Sequence, residues 1–415
     1  MLRPIFPPRS GASSMFGLEK LFNRKPTLAD LAGELLKRLA ILKADEQFVF
    51  EPEQTQLRGS QSTRINLANV YMDYCAADRK QRPAILDGFL AAFTGPREPD
   101  SFAEAREQLL PVLRHLGGLD SLPVKSGERT GSARDALCAS FAMKPFSPDL
   151  AIGVAFDTEQ AVMQIGEKTL EKWQVGLEEA LQVAIDNLRH KAAPSFTELS
   201  AGLYLSEYGD YYDAARILLT ELAWQLPLNG RPVAMVPNRI CLLLAGDQDE
   251  DALAAMIATS AQVLREQSRP LGAEMFRLED QGWTVWQPPG ALRQELSDLQ
   301  IQNRAGDYDM QQKMLQQDAA ERGEDIYVAS VSLLRKAENG PILSFSVLTE
   351  GVPTWLPQTD LVILNRGEDV PHIEVPWEHF VAVAGALLEP LPYVLPRFRV
   401  TGFPDAAMLS RFTAS

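Results

Sequence analysis

Residues 213–256 constrain the fold more than any other stretch of this chain. They read D-A-A-R-I-L-L-T-E-L, then R-P-V-A-M-V-P-N-R-I-C-L-L-L-A-G, then D-Q-D-E-D-A-L-A-A-M. The first apolar spacing predicts an amphipathic helix over 212–226. The second predicts strands at 233–236 and 240–245, joined across Pro237-Asn238. The third opens a helix over 249–267 with acids that complement its dipole. A helix, a hairpin and a second helix within so few residues point to an antiparallel sheet with helices laid on it.

The same hairpin-and-helix pattern recurs on both sides. A helix is expected over 28–42 with Thr27 as N-cap, then strands at 48–50 and 56–58, then a helix over 65–77. Helical periodicity continues over 86–93 and 102–109, followed by a short strand at 111–114 and a Gly/Ser/Pro-rich stretch over 117–132 that reads as a loop. Alternation at 151–156 and 161–165 predicts a hairpin, and 177–189 a helix, with an apolar run at 199–205 after it. Strands at 273–278 and 284–287 close this block. Residues 292–325 are polar and Gln-rich and read as linker helices. Beyond them, strands at 326–335 and 342–349 flank Asn339-Gly340, a strong hairpin turn, and a short helix at 377–388 lies among further strands. The expected fold class is therefore α+β: mainly antiparallel sheets with helices on one face, plus a C-terminal α+β module. The expected parts are a flexible segment 1–26, core parts 27–145 and 146–291, a helical linker 292–325 and a module 326–415.

At 415 residues the chain is too long for one ordinary core. Its 40 basic and 55 acidic residues give a net charge of −15, which repels nucleic acid and anionic membranes and suits a basic partner. No apolar run of about 18 residues exists, so stable membrane insertion is not expected. Residues 1–14 carry no apolar core of a secretory signal, and Met15 offers a second candidate start. Three scattered cysteines, Cys75, Cys138 and Cys241, suit a reducing cytoplasm without disulfides.

L-A-D-L-A-G-E-L-L-K-R-L at 28–39 with the F-x-F-E-P hairpin after it, L-P-V-L-R at 110–114 and A-I-D-N-L-R at 184–189 carry a family resemblance. So, most densely, do Y-G-D-Y-Y-D-A-A-R-I-L-L and V-P-N-R-I-C-L-L-L-A-G. Over roughly residues 27–290 the chain resembles the bacterial YtpQ-like family, a domain family of unknown function. The resemblance implies a cytoplasmic bacterial protein. It brings no catalytic residue with it, because these are packing and turn motifs.

The best site candidate is the segment holding Asp210, Tyr211, Asp213 and Arg216. Two tyrosines and acids at a helix start can bind a polar ligand. Equally, Asp210 can cap the helix while Asp213 and Arg216 pair three residues apart, and this structural explanation outweighs the first. Asp247 to Asp251 imitates a calcium loop but has Ala252 and Ala258 where Gly and Glu belong. His372, Glu374, Glu378 and His379 lack zinc-ligand spacing. The 125–134 stretch, with Lys125, Arg129 and Arg134, lacks the order of a P-loop. No catalytic residue, metal ligand or cofactor is therefore assigned. The expected function is a non-enzymatic protein-interaction or scaffold role. The alternative is a small-molecule-binding protein or enzyme with a pocket near Asp210–Arg216.

Overall fold

The computed structural model describes residues 26–43, 45–61, 63–94, 98–119, 132–158, 162–191, 195–338 and 340–413. The 1–25 segment with its two candidate starts, the 120–131 part of the Gly/Ser/Pro-rich stretch and Asn339 lie outside them. The architecture is α+β, with mainly antiparallel sheets.

The first helix, Leu28–Leu42, starts where the sequence places it. Thr27 and Asp30 cap each other reciprocally: the Asp30 N–H donates to Thr27 Oγ1 at 3.1 Å and the Thr27 N–H to Asp30 Oδ2 at 2.8 Å. Its stripe of Leu31, Leu35 and Leu39 is buried in a core that also takes Leu57 and Ile65 from the three-stranded sheet beside it. The helix expected over 65–77 begins only at Ala68. Ile65 is used as the third strand's inward residue opposite Leu57, and Asn66 Oδ1 accepts the Ala68 N–H at 2.8 Å. Period-2 burial wins here over helical continuity.

The central sheet has six strands in the order Gly282–Val285, Met275–Glu279, Pro232–Asn238, Cys241–Gly246, Leu203–Ser206 and Phe196–Ser200, all antiparallel. Val233, Met235, Leu243 and Ala245 face the helix Glu250–Glu266 and Leu296 and Leu299 of a later helix. Ala234, Val236, Leu242 and Leu244 face the opposite way, into a core shared with the strands Leu109–His115 and Leu150–Asp157 and the helices Glu167–Trp173 and Leu177–His190. Burial on both faces is why these two strands read as continuous apolar runs. The strand Leu109–His115 pairs with Leu150–Asp157, so the expected boundary between residues 145 and 146 falls inside one sheet and one core.

The helix expected over 212–226 is replaced by a 3-10 segment, Ala214–Leu218, and one α-turn, Thr220–Ala223. Leu219, at φ −94° and ψ 74°, lies off the helical path and donates its N–H to the Arg216 carbonyl. Breaking there lets Tyr212, Ala215, Leu219 and Leu222 all reach one small core with Leu110 and Val112.

The expected linker is a single 31-residue helix, Ala291–Glu321. Beyond it, two four-stranded sheets each contain one parallel pair: Ile342–Thr349 with Leu361–Asn365, and Tyr327–Val328 with Thr354–Pro357. The single strand expected over 326–335 divides between these sheets, as Tyr327–Val328 and Ser332–Arg335. The carbonyls between the two pieces are taken by side chains. Ala329 accepts from Arg397 Nη1 at 2.8 Å and Ser330 from Ser346 Oγ at 2.9 Å.

Phe276 is 1 % exposed and tilts against Phe146 with ring centroids 5.3 Å apart. Phe276→Ala opens a hole in the core that Ala234, Val236, Leu242 and Leu244 share. Urea denaturation is expected to show a loss of about 3–5 kcal/mol, and a loss under about 1 kcal/mol would contradict this packing.

Candidate functional site

The Asp210–Arg216 segment leaves the strand Leu203–Ser206 and doubles back. Gly209 and Tyr211 both sit at φ +67°, a conformation that suits glycine and strains tyrosine. Asp210 holds the bend: its Oδ1 accepts the Tyr212 N–H at 3.0 Å. Both Asp210 oxygens also accept from Arg216, Nη1 to Oδ1 at 2.8 Å and Nη2 to Oδ2 at 2.6 Å. This two-pronged geometry suits a guanidinium better than any other side chain. The Tyr208 ring lies against the guanidinium, 3.5 Å from its carbon to the ring centre. Arg216 is 1 % exposed.

The expected pairing of Asp213 with Arg216 is thus corrected: Asp210 takes the arginine. Asp213 turns the other way and accepts from Ser206 Oγ at 2.8 Å and from the Tyr208 N–H at 3.1 Å. A 3-10 segment places residues three apart almost in line, yet Asp213 is needed to satisfy the bend's own donors. Tyr211 is 57 % exposed and points away from the others.

Electrostatics follow this geometry. Burial works to raise Asp210, but the bonded Arg216 overrides it and holds the carboxyl below its ordinary value. Asp213, buried and without a direct cation, goes the other way: burial outweighs its two hydrogen bonds and raises it. Both Nη groups of Arg216 and both oxygens of Asp210 are committed inside the fold. The arrangement acts as a strut that pins the bend to the sheet.

The other sequence candidates also serve the fold. Asp249 caps the helix after it, accepting the Ala252 N–H at 3.0 Å, and Asp247 accepts the Arg231 N–H at 2.8 Å. Glu374 pairs with Lys336 at 2.7 Å, while the His379 ring meets Phe412 edge-on. Among the described residues, no group of three or more His, Cys, Asp and Glu is placed to hold a metal ion. Ser132 opens the helix Ala133–Ser140 in a capping box with Asp135. Burial pushes the Cys241 thiol up to about 12, with Asp213 adding to the shift, so it is inert at neutral pH. An apolar cavity of about 400 Å³ opens between Ala139, Met143, Leu170, Val175 and Leu177, and none of the four expected site residues lines it.

One cluster has no signal in the sequence, because its members converge only through tertiary structure. His115 ends the strand Leu109–His115, and its Nε2 lies 3.3 Å from Asp307 Oδ2 on the long helix. A Cβ on Gly117 would come within 2.7 Å of that ring nitrogen, so the glycine leaves the imidazole room. Asp149 pairs with Arg304 at 3.2 Å, and the buried Glu274 accepts a hydrogen bond from Ser147. Burial, reinforced by Asp149, pushes Glu274 up to about 7 and Asp307 also to about 7. Burial pushes the His115 imidazole down, against the pull of Asp149.

Asp210→Ala leaves a buried guanidinium without its counter-ion, and denaturation is expected to show a loss of about 3–5 kcal/mol. Tyr211→Gly relieves a strained backbone and is expected to be neutral or stabilising by up to about 1 kcal/mol. A loss under about 1 kcal/mol for Asp210→Ala would contradict the strut.

Glu274 and Asp307 have folded-state values raised above their ordinary 4.5 and 3.8. The folded chain therefore holds these protons more tightly than the unfolded one. Their contribution is fully present below about pH 4 and is lost as pH rises through about 7. The melting temperature of Glu274→Gln relative to the parent is expected to climb between pH 5 and pH 8. A difference that stays flat, or falls, would show that Glu274 is charged in the fold.

No helix among the described residues is long and apolar enough to cross a membrane. No family model, no curated protein and no solved structure matches this chain.

Proposed function

We propose that this chain is a non-enzymatic protein-interaction or scaffold protein that takes a basic protein partner along an open strand edge. The observation that carries this reading is the strand Phe196–Ser200. It ends the central six-stranded sheet and, among the described residues, pairs on one side only, with Leu203–Ser206. Thr197 to Ser200 are all exposed, and Leu199 is 46 % exposed. Unpaired backbone donors and acceptors on such an edge form a template for an added strand.

The surroundings support a cationic partner. Glu198 lies on the edge, Glu207 sits beside it in a hydrogen bond with Thr197, and the chain carries a net charge of −15. Asp210 and Arg216 satisfy each other, which leaves the alternative of a small-molecule pocket at that pair with less support than the edge. Membership of the YtpQ-like family and a bacterial cytoplasmic setting belong to the same proposal and rest on the motif residues and the thiols.

The test is affinity capture from native-host lysate with the full-length chain and with Leu199→Lys, which places a charge on the edge. The variant is expected to melt within about 0.5 kcal/mol of the parent and to lose a stoichiometric basic protein that the parent retains. Absence of such a protein, or equal retention by the variant, would overturn the proposal.

A further inference from the structure

We infer that Arg114, Arg239 and Tyr212 form a binding site for a phosphate group, either free or carried on a small molecule. Three elements bring them together. Arg114 follows Leu110 and Val112 on one face of the strand Leu109–His115, since alternate residues share a face. Tyr212 is packed in the core formed by those two residues. The Ala214 N–H donates to the Arg239 carbonyl at 3.3 Å, which ties the Asn238–Ile240 turn to the Tyr212 segment.

The polar groups at this place are poorly satisfied by the protein. Arg114 is 8 % exposed, and its partners are neutral: Nε donates to Gln164 Oε1 at 2.8 Å and Nη1 to the Leu113 carbonyl at 3.1 Å. Arg239 Nε is shielded from solvent without a hydrogen-bond partner among the described residues, and the Tyr212 hydroxyl, shielded likewise, has the Asp157 carboxylate beside it. Neither arginine forms an ion pair with a carboxylate among the described residues. Burial first, and then the charge and hydrogen bonding of Asp157, push the Tyr212 phenol up, while Asp157 forms its ion pair with Lys191 at 2.8 Å. The Lys191 ammonium in turn sits 5.2 Å from the Tyr212 ring centre.

Such a cluster is costly as it stands. Burial first, and then the Arg239 charge, pushes Arg114 down to about 9, so it stays charged at neutral pH beside a second cation. Burial, with Arg269 adding to it, likewise depresses Arg239 to about 10. Arg269 is itself neutralised by Asp73 at 2.7 Å. Among the described residues, no carboxylate is in an ion pair with either of these two guanidinium groups. A buried charge without a counter-ion is unfavourable. A phosphate dianion supplies two negative charges and several acceptor oxygens for two guanidinium groups and one phenol. A singly charged carboxylate leaves one cation unbalanced.

The test uses the full-length chain, inorganic phosphate as probe, and sodium chloride or acetate at matched ionic strength as controls. Phosphate is expected to raise the melting temperature by at least about 2 °C over chloride and to give a saturable titration heat. Arg239→Gln is expected to melt higher than the parent without phosphate, because a repelling charge is removed, and to lose the phosphate increment. Tyr212→Phe keeps the packing and is expected to reduce the increment while the phosphate-free melting holds. Equal shifts with phosphate, acetate and chloride would overturn the assignment. So would an Arg239→Gln variant that melts lower without phosphate and still responds to it.

Discussion

The long helix Ala291–Glu321 meets every other described part of the chain, and it does so through a different chemistry along its length. Leu296 and Leu299 enter the core under the central sheet, and Gln300 donates to the Ala273 carbonyl at 3.1 Å. Arg304 and Asp307 then engage Asp149 and His115. The Tyr308 hydroxyl donates to the Pro396 carbonyl at 3.0 Å, and Gln311 accepts from the fully buried Arg397 at 2.6 Å. Gln316 exchanges bonds with the backbone of Ile326 and Val328. At the far end Asp318 and Glu321 reach Arg64 of the N-terminal sheet. The last pairs are exposed and worth little each. The middle amides matter more, because they satisfy strand-edge backbone that is otherwise shut away from water.

That chemistry explains which parts of the fold were legible in the sequence. Hairpins at 48–58 and 233–245 and helices at 28–42, 177–189 and 249–267 show in the pattern because apolar burial sets them and apolar burial has a period. The long helix read as a linker because its contacts are made by glutamine amides, which carry no hydrophobic periodicity. The break at Leu219 was hidden for the opposite reason. Its residues are apolar at helical spacing, and only the shape of the core decides that a 3-10 turn serves them better. The split of 326–335 between two sheets depends on Arg397, more than sixty residues away.

The candidate site shows the same limit. Composition and turn signals singled out the segment Asp210 to Arg216 and an aspartate–arginine pair within it. They gave Arg216 the wrong acid, because spacing on an ideal helix says nothing of a bend at Gly209 and Tyr211. The convergence of His115, Asp149, Glu274 and Asp307 had no local signature at all. Nor did that of Arg114, Tyr212 and Arg239, since each residue looks ordinary in its own strand or turn. Polar groups inside this protein fall into two kinds. Asp210 and Arg216 complete each other, and Arg397 is tied to Gln311 and to the Ala329 and Trp355 carbonyls; these serve the fold. The acids raised to about 7, and Arg114 and Arg239, which have no carboxylate ion pair among the described residues, are held at a cost, and these are the places where solution conditions act on the molecule.

The long helix is a structural frame along its full length and not a tether. Native-state hydrogen exchange of the intact chain tests this directly. Amides of residues 304–316 are expected to be protected to within about tenfold of those in the strand Pro232–Asn238, since both open only with the core. Exchange of 304–316 more than about a thousandfold faster, with the central sheet still protected, would contradict it. The parts tied to the helix would then have to be treated as separately folding bodies.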